Sequence, residues 1–98
     1  MSKKRVYISG PITGVDNYEE NFRKMATSLI ELGYEVINPA AFNDELPSTL
    51  SYEEYLKFDL SLLDMCNTIC LLKGWEKSLG ANREYGYALA KGYKVMYE

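Results

Sequence analysis

The chain contains no histidine. Neither a Cys-His nor a Ser-His pair can be built, so near neutral pH any proton transfer or nucleophilic attack falls to Asp, Glu, Tyr, Lys or a thiolate. Cysteine is almost as scarce, with only Cys66 and Cys70, and in a sequence without signs of secretion these read as reduced, buried thiols. Two soft ligands without an imidazole do not make a zinc site, so no metal is expected. No apolar run reaches the ~20 residues that cross a bilayer, and the N-terminus lacks the apolar core of a signal peptide, which points to the cytoplasm and to no membrane partner. An excess of basic charge is missing too: 11 Lys and Arg stand against 14 Asp and Glu, a net charge of -3. Only Lys3-Lys4-Arg5 forms a basic cluster, read as the solvated start of a strand, and a nucleic-acid polymer is not an expected partner.

What is present fits one domain spanning residues 1–98, with 47% apolar and 26% charged residues around a single core. So short a chain buries a modest share of its surface, which leaves a site on one protomer shallow and makes a homodimer or higher homo-oligomer the expectation.

Arg5-Val6-Tyr7-Ile8-Ser9 reads as a first strand ended by Gly10-Pro11. Asn17 with Glu20 suggests a helix cap, and Tyr18, Phe22, Met25, Ala26 and Leu29 recur at helical spacing until Gly33. Tyr34 to Ile37 is the second strand, and residues 38 to 50 form a long connection that has room for one turn of helix. Ser51 with Glu54 resembles a capping box opening a helix from Tyr52 to Met65. The apolar run Thr68 to Leu72 is a central strand, Gly74 to Leu79 its exit loop, Ala81 to Lys91 the last helix and Tyr93 to Tyr97 the last strand. Leu32-Gly33-Tyr34-Glu35-Val36-Ile37 is echoed by Lys91-Gly92-Tyr93-Lys94-Val95-Met96, as repeated helix-to-strand units. Alternating strands and helices predict an α/β fold, a flavodoxin- or Rossmann-like three-layer sandwich with a small parallel sheet of about four strands. Ligands on such sheets bind beyond the carboxyl ends of the strands, here the loops at Gly10 to Gly14, Asn38 to Thr49 and Lys73 to Gly80.

Two carboxylates stand out. Asp59 falls inside the apolar stripe Tyr52, Tyr55, Leu56, Leu60, Leu63 and Cys66, where an unpaired charge is unfavourable unless it pairs, caps or works; an ion pair with Lys57 or Arg83 is the plain alternative. Glu84 borders the sheet-facing stripe Ala81, Tyr85, Ala88, Leu89 and Gly92, in the first two turns, where the helix dipole favours its ionised form; an ordinary surface glutamate is the alternative. Tyr7 points to the strand face opposite Val6 and Ile8, three residues before the Gly10 loop, and its hydroxyl can orient a carboxylate or simply belong to the core. Gly10-Pro11-Ile12-Thr13-Gly14 can bring backbone N–H groups close to an anion or be a tight turn. Ser78, in the loop ending at Gly80, can bind a phosphate or cap the last helix. Trp75 offers a stacking face or a hydrophobic plug.

The order Val6 to Gly14, then Tyr55-Leu56-Lys57-Phe58-Asp59-Leu60, then Gly74 to Ala88 resembles the nucleoside 2-deoxyribosyltransferase superfamily across almost the whole chain. The nearest branch is the short, DUF4406-like type frequent in phages and prophages, with its Gly-Trp-Glu-x-Ser-x-Gly-Ala-x-x-Glu signature complete in Gly74 to Glu84. The resemblance implies that Glu84 attacks C1′ of the sugar and becomes glycosylated, that Asp59 assists departure of the base, and that Tyr7 holds the nucleophile, with no metal or cofactor. Where the transferases place a sugar-gripping aspartate this chain has Ser78, as do the related deoxynucleoside 5′-monophosphate N-hydrolases, whose Gly-x-Ile-x-Gly phosphate loop matches Gly10, Pro11, Ile12, Thr13 and Gly14. Gly10 to Gly14, Ser78 and Gly80 are thus the implied substrate-binding set, for a nucleoside or a 5′-monophosphate with water as acceptor. Thr13 stands where those hydrolases carry arginine. The competing readings are a nucleotide-binding module of the same fold without turnover, and a phage protein that uses the fold only for assembly.

Overall fold

The computed structural model describes residues 4–98; Lys3 of the basic triplet lies outside the described residues. Four parallel strands, β1 (Arg5–Ser9), β2 (Glu35–Ile37), β3 (Thr68–Leu71) and β4 (Lys94–Tyr97), form one sheet in the order β2-β1-β3-β4. Three helices connect them: α1 (Tyr18–Glu31), α2 (Tyr52–Leu63) and α3 (Leu79–Ala90), with short 3-10 segments at Pro39–Glu45 and Trp75–Lys77. The α/β fold is the one expected.

Alternation along the strands divides the core. Val6, Ile8, Cys70 and Leu72 face α1 and pack on Phe22 and Leu29, whereas Tyr7, Ile69 and Leu71 face α2 and α3 and pack on Leu62, Leu63 and Ala88. All four residues of β3 are buried, as an apolar strand covered on both faces should be.

The echoed segments are two copies of one helix stop. The Gly33 N–H donates to Ile30 O and the Tyr34 N–H to Leu29 O; the Gly92 N–H donates to Leu89 O and the Tyr93 N–H to Ala88 O. Both glycines hold positive φ, 97° and 77°, which completes a Schellman motif each time. The same bonds correct the strand starts: Tyr34 and Tyr93 close the helix ends, so β2 and β4 begin one residue later than expected.

Other helix ends follow their caps. The Ser51–Glu54 capping box forms in full. Helix α2 stops at Leu63, because the Met65 and Cys66 N–H groups tighten onto Leu62 O and Leu63 O. The expected Asn17 cap does not form; Glu20 pairs with Arg23 instead. Helix α3 starts at Leu79 rather than Ala81, because the Ser78 hydroxyl accepts the Ala81 N–H. Cys66 and Cys70 are free and buried, and burial pushes both thiols up to about 11, so they stay protonated.

Candidate active site

In a sheet of this order the chain leaves β1 for one edge and later returns to β3 on the other side, so the loops after β1 and β3 diverge and a crevice opens above their carboxyl ends. A cleft of about 970 Å³ lies there. Its floor is Tyr7 of β1, Asp59 of α2 and Glu84 of α3. One wall is Gly10, Pro11, Ile12 and Thr13; a second is Lys77, Ser78 and Gly80 at the amino end of α3. Tyr52 and Tyr55 of α2 and Asn43 and Asp44 of the 3-10 segment complete it.

Glu84 is the centre of this arrangement, only 6% exposed. Ala81, Glu84 and Ala88 are the buried residues of α3 and Leu89 is exposed, so the glutamate sits in the middle of the inward stripe, not on its border. Its carboxylate is held at both ends. The Tyr7 hydroxyl donates to Oε2 at 2.8 Å, and the Ser9 hydroxyl donates to Oε1 at 2.6 Å. Tyr7 and Ser9 are two apart on β1 and therefore share a face. That spacing is the signal by which Ser9, missed in the sequence reading, was findable.

The electrostatics reverse one expectation. With α3 starting at Leu79, Glu84 is its sixth residue, past the first turn where the helix dipole acts. Burial dominates and pushes the Glu84 carboxyl up to about 7; the Ser9 hydrogen bond opposes the rise, the Asp59 charge adds to it, and the Tyr7 hydrogen bond opposes it again. Asp59 is pushed up to about 6, by burial first, with a hydrogen bond to Glu84 acting against it. Arg83 is engaged with Glu53 at 2.7 Å, which leaves the two carboxyls facing each other across the floor. Tyr7 lies well above its ordinary value, through burial and then the Glu84 charge, so it remains a proton donor.

The glycine loop divides by role. A Cβ on Gly10 would meet Leu72 Cβ at 2.7 Å, so only glycine lets β1 leave the sheet here. Gly14 lies outside the cleft lining; at φ 79° it is the third residue of a turn closed by the Val15 N–H on Ile12 O at 3.1 Å, a turn that needs glycine there. Trp75 is also outside the lining and packs on Tyr85, ring centroids 4.9 Å apart, as a plug. The Asn82 amide staples the loop below it, donating to Trp75 O, Glu76 O and Ser78 O.

Among the described residues no cluster of three or more His, Cys, Asp or Glu is arranged to hold a metal ion, and no helix is long and apolar enough to cross a membrane. Over residues 4–97 the chain matches the family described as Domain of unknown function (DUF4406), and it belongs to that family. No curated protein matches it. Among solved structures, it is similar to the 2-desoxiribosyltransferase from Leishmania mexicana, with a TM-score of 0.70 and 19% identity over 96% of this chain. The chain spans 63% of that protein's length, and the likeness establishes the nucleoside 2-deoxyribosyltransferase-like fold.

Proposed function

We propose that this chain cleaves the N-glycosidic bond of a nucleoside or (deoxy)nucleoside 5′-monophosphate, passing the sugar through a covalent ester on Glu84 to water or to a second base. The observation that carries the reading is the buried Glu84 carboxylate, gripped on both oxygens from β1 and facing Asp59 beneath an open cleft. Glycosidic cleavage through an oxocarbenium-like transition state calls for that pair: a carboxylate below the sugar and an acid beside the departing base. Burial raises both carboxyls, so the pair retains a proton close to neutral pH. Positive charge developing on the sugar beside Glu84 favours its anion and moves the proton to Asp59, which passes it to the base.

The 5′-monophosphate form of the reading rests on the second wall. Lys77, the Ser78 hydroxyl and the Leu79 and Gly80 N–H groups that open α3 gather there beside Gly10 to Thr13, and an anion is stabilised at such a helix start. The same reading has the chain work as a homodimer or larger assembly, because exposed apolar side chains, Leu79 and Tyr52, stand at the rim of an open cleft; its proposed compartment is the cytoplasm.

The test is incubation with a panel of nucleosides and 5′-monophosphates, followed by chromatography for free base. Release of base that Glu84→Ala reduces at least a thousandfold, with a glycosyl adduct on Glu84 in the mass spectrum, is the expected outcome. The pair carries one proton between about pH 6 and 7, so the rate should be bell-shaped with its maximum in that window. Binding without turnover across the whole panel would instead identify a nucleotide-binding module.

A further inference from the structure

The two oxygens of Glu84 are not equivalent. Tyr7, which holds Oε2, lines the cleft. Ser9, which holds Oε1, is as fully buried as Tyr7, 1% against 0% exposed, but is not part of the cleft lining. We propose that Ser9 is a positioning residue that pins the inner oxygen of Glu84 and thereby presents Oε2 as the atom that attacks C1′. This rests on the glycosyl-transfer reading above.

The geometry supports such a division. Ser9 is the last residue of β1, its carbonyl accepts the Leu72 N–H at 2.8 Å, and the next residue, Gly10, abuts Leu72. Its backbone is therefore fixed, and its buried hydroxyl points at Oε1 without competition from solvent. A carboxylate held by one donor can rotate and exchange its oxygens, whereas donors on both oxygens, projecting from one strand face, stop that rotation. In the reaction an Oε2 lone pair forms the bond to C1′ while the C1′–N bond breaks, and its electron pair leaves with the base, which takes the Asp59 proton. Oε1 becomes the ester carbonyl and keeps the Ser9 hydrogen bond. When water or a second base attacks C1′, the Oε2–C1′ electron pair returns to Glu84 and the Asp59 carboxylate, left without its proton by the first step, takes the proton the attacking group gives up. A charged acceptor binds a donor more strongly than a neutral ester does, so Ser9 also favours the released carboxylate and helps Glu84 leave.

The titratable groups facing Glu84 are Tyr7 from β1 and Asp59 from α2, with Lys77 on the cleft wall and Cys66 near Tyr7. The experiment is a carbon-13 NMR titration of the Glu84 carboxyl in the parent, Ser9→Ala and Ser9→Cys, together with kcat and KM on the substrate found in the panel. Ser9→Ala should move the Glu84 midpoint up by about one pH unit and lower kcat about tenfold. KM should stay within about twofold, because Ser9 does not reach the ligand, and Ser9→Cys, with a weaker donor, should fall between. An unchanged Glu84 midpoint in a folded Ser9→Ala protein overturns the proposal, as does a loss confined to KM. Should the parent release no base from any substrate, the glycosyl-transfer reading fails, while the NMR shift still decides whether Ser9 holds Glu84.

Discussion

At Glu84, burial and hydrogen bonding pull in opposite directions, and burial wins. The folded-state value of about 7 lies above the ordinary 4.5, so the native protein binds a proton that the unfolded chain has lost. Stability from this group is therefore full below about pH 4.5, falls as pH rises through about 7 and is level beyond. Glu84→Gln cannot ionise and escapes that loss. Its stability relative to the parent should rise between pH 5 and pH 8, by up to roughly 3 kcal/mol, as read from urea midpoints at the two pH values. A difference that stays flat with pH would mean that Glu84 titrates as a solvated carboxylate.

Among the elements, α3 ties cleft and scaffold most closely, since its cap and the cleft wall share a residue. The Ser78 hydroxyl accepts the Ala81 N–H at 3.1 Å, and removing such a cap costs about 1 kcal/mol. Ser78→Ala should show that loss in thermal unfolding. If Ser78 also meets a 5′-phosphate, the variant should raise KM for monophosphates about tenfold and leave KM for nucleosides unchanged. Equal effects on both would confine Ser78 to capping. Helix ends in general were legible where both partners of a cap lie within a few residues, as at Ser51 and Glu54 or at Gly33 and Gly92. At Asn17 the expected cap did not form: its backbone, at φ -113° and ψ 33°, lies outside the extended region an N-cap adopts, and the Glu20 side chain pairs with Arg23 instead. Nothing in the Asn17–Glu20 spacing discriminates between those partners.

For the whole molecule, the open cleft with its apolar rim sets the expectation of self-association. Sedimentation at micromolar concentration should find a dimer or larger species, and Leu79→Glu, at a position 66% exposed, should shift it towards monomer. A parent that stays monomeric at every concentration would leave the single-chain cleft as the complete site.

Local spacing was enough to locate the strands, the helices, their order and the two unusual carboxylates, since hydrophobic period and cap chemistry are properties of neighbouring residues. It also placed Tyr7 on the face opposite Val6 and Ile8. What it did not decide is what those groups meet. That Glu84 lies at the centre of the inward stripe of α3, grips Ser9 as well as Tyr7, and is governed by burial rather than the helix dipole follows from stacking α3 on β1 across more than seventy residues of intervening chain. Gly14 and Trp75 fall outside the cleft for the same reason. Proximity between distant segments, and the exclusion of water that shifts a carboxyl's proton affinity, exist only once the layers close.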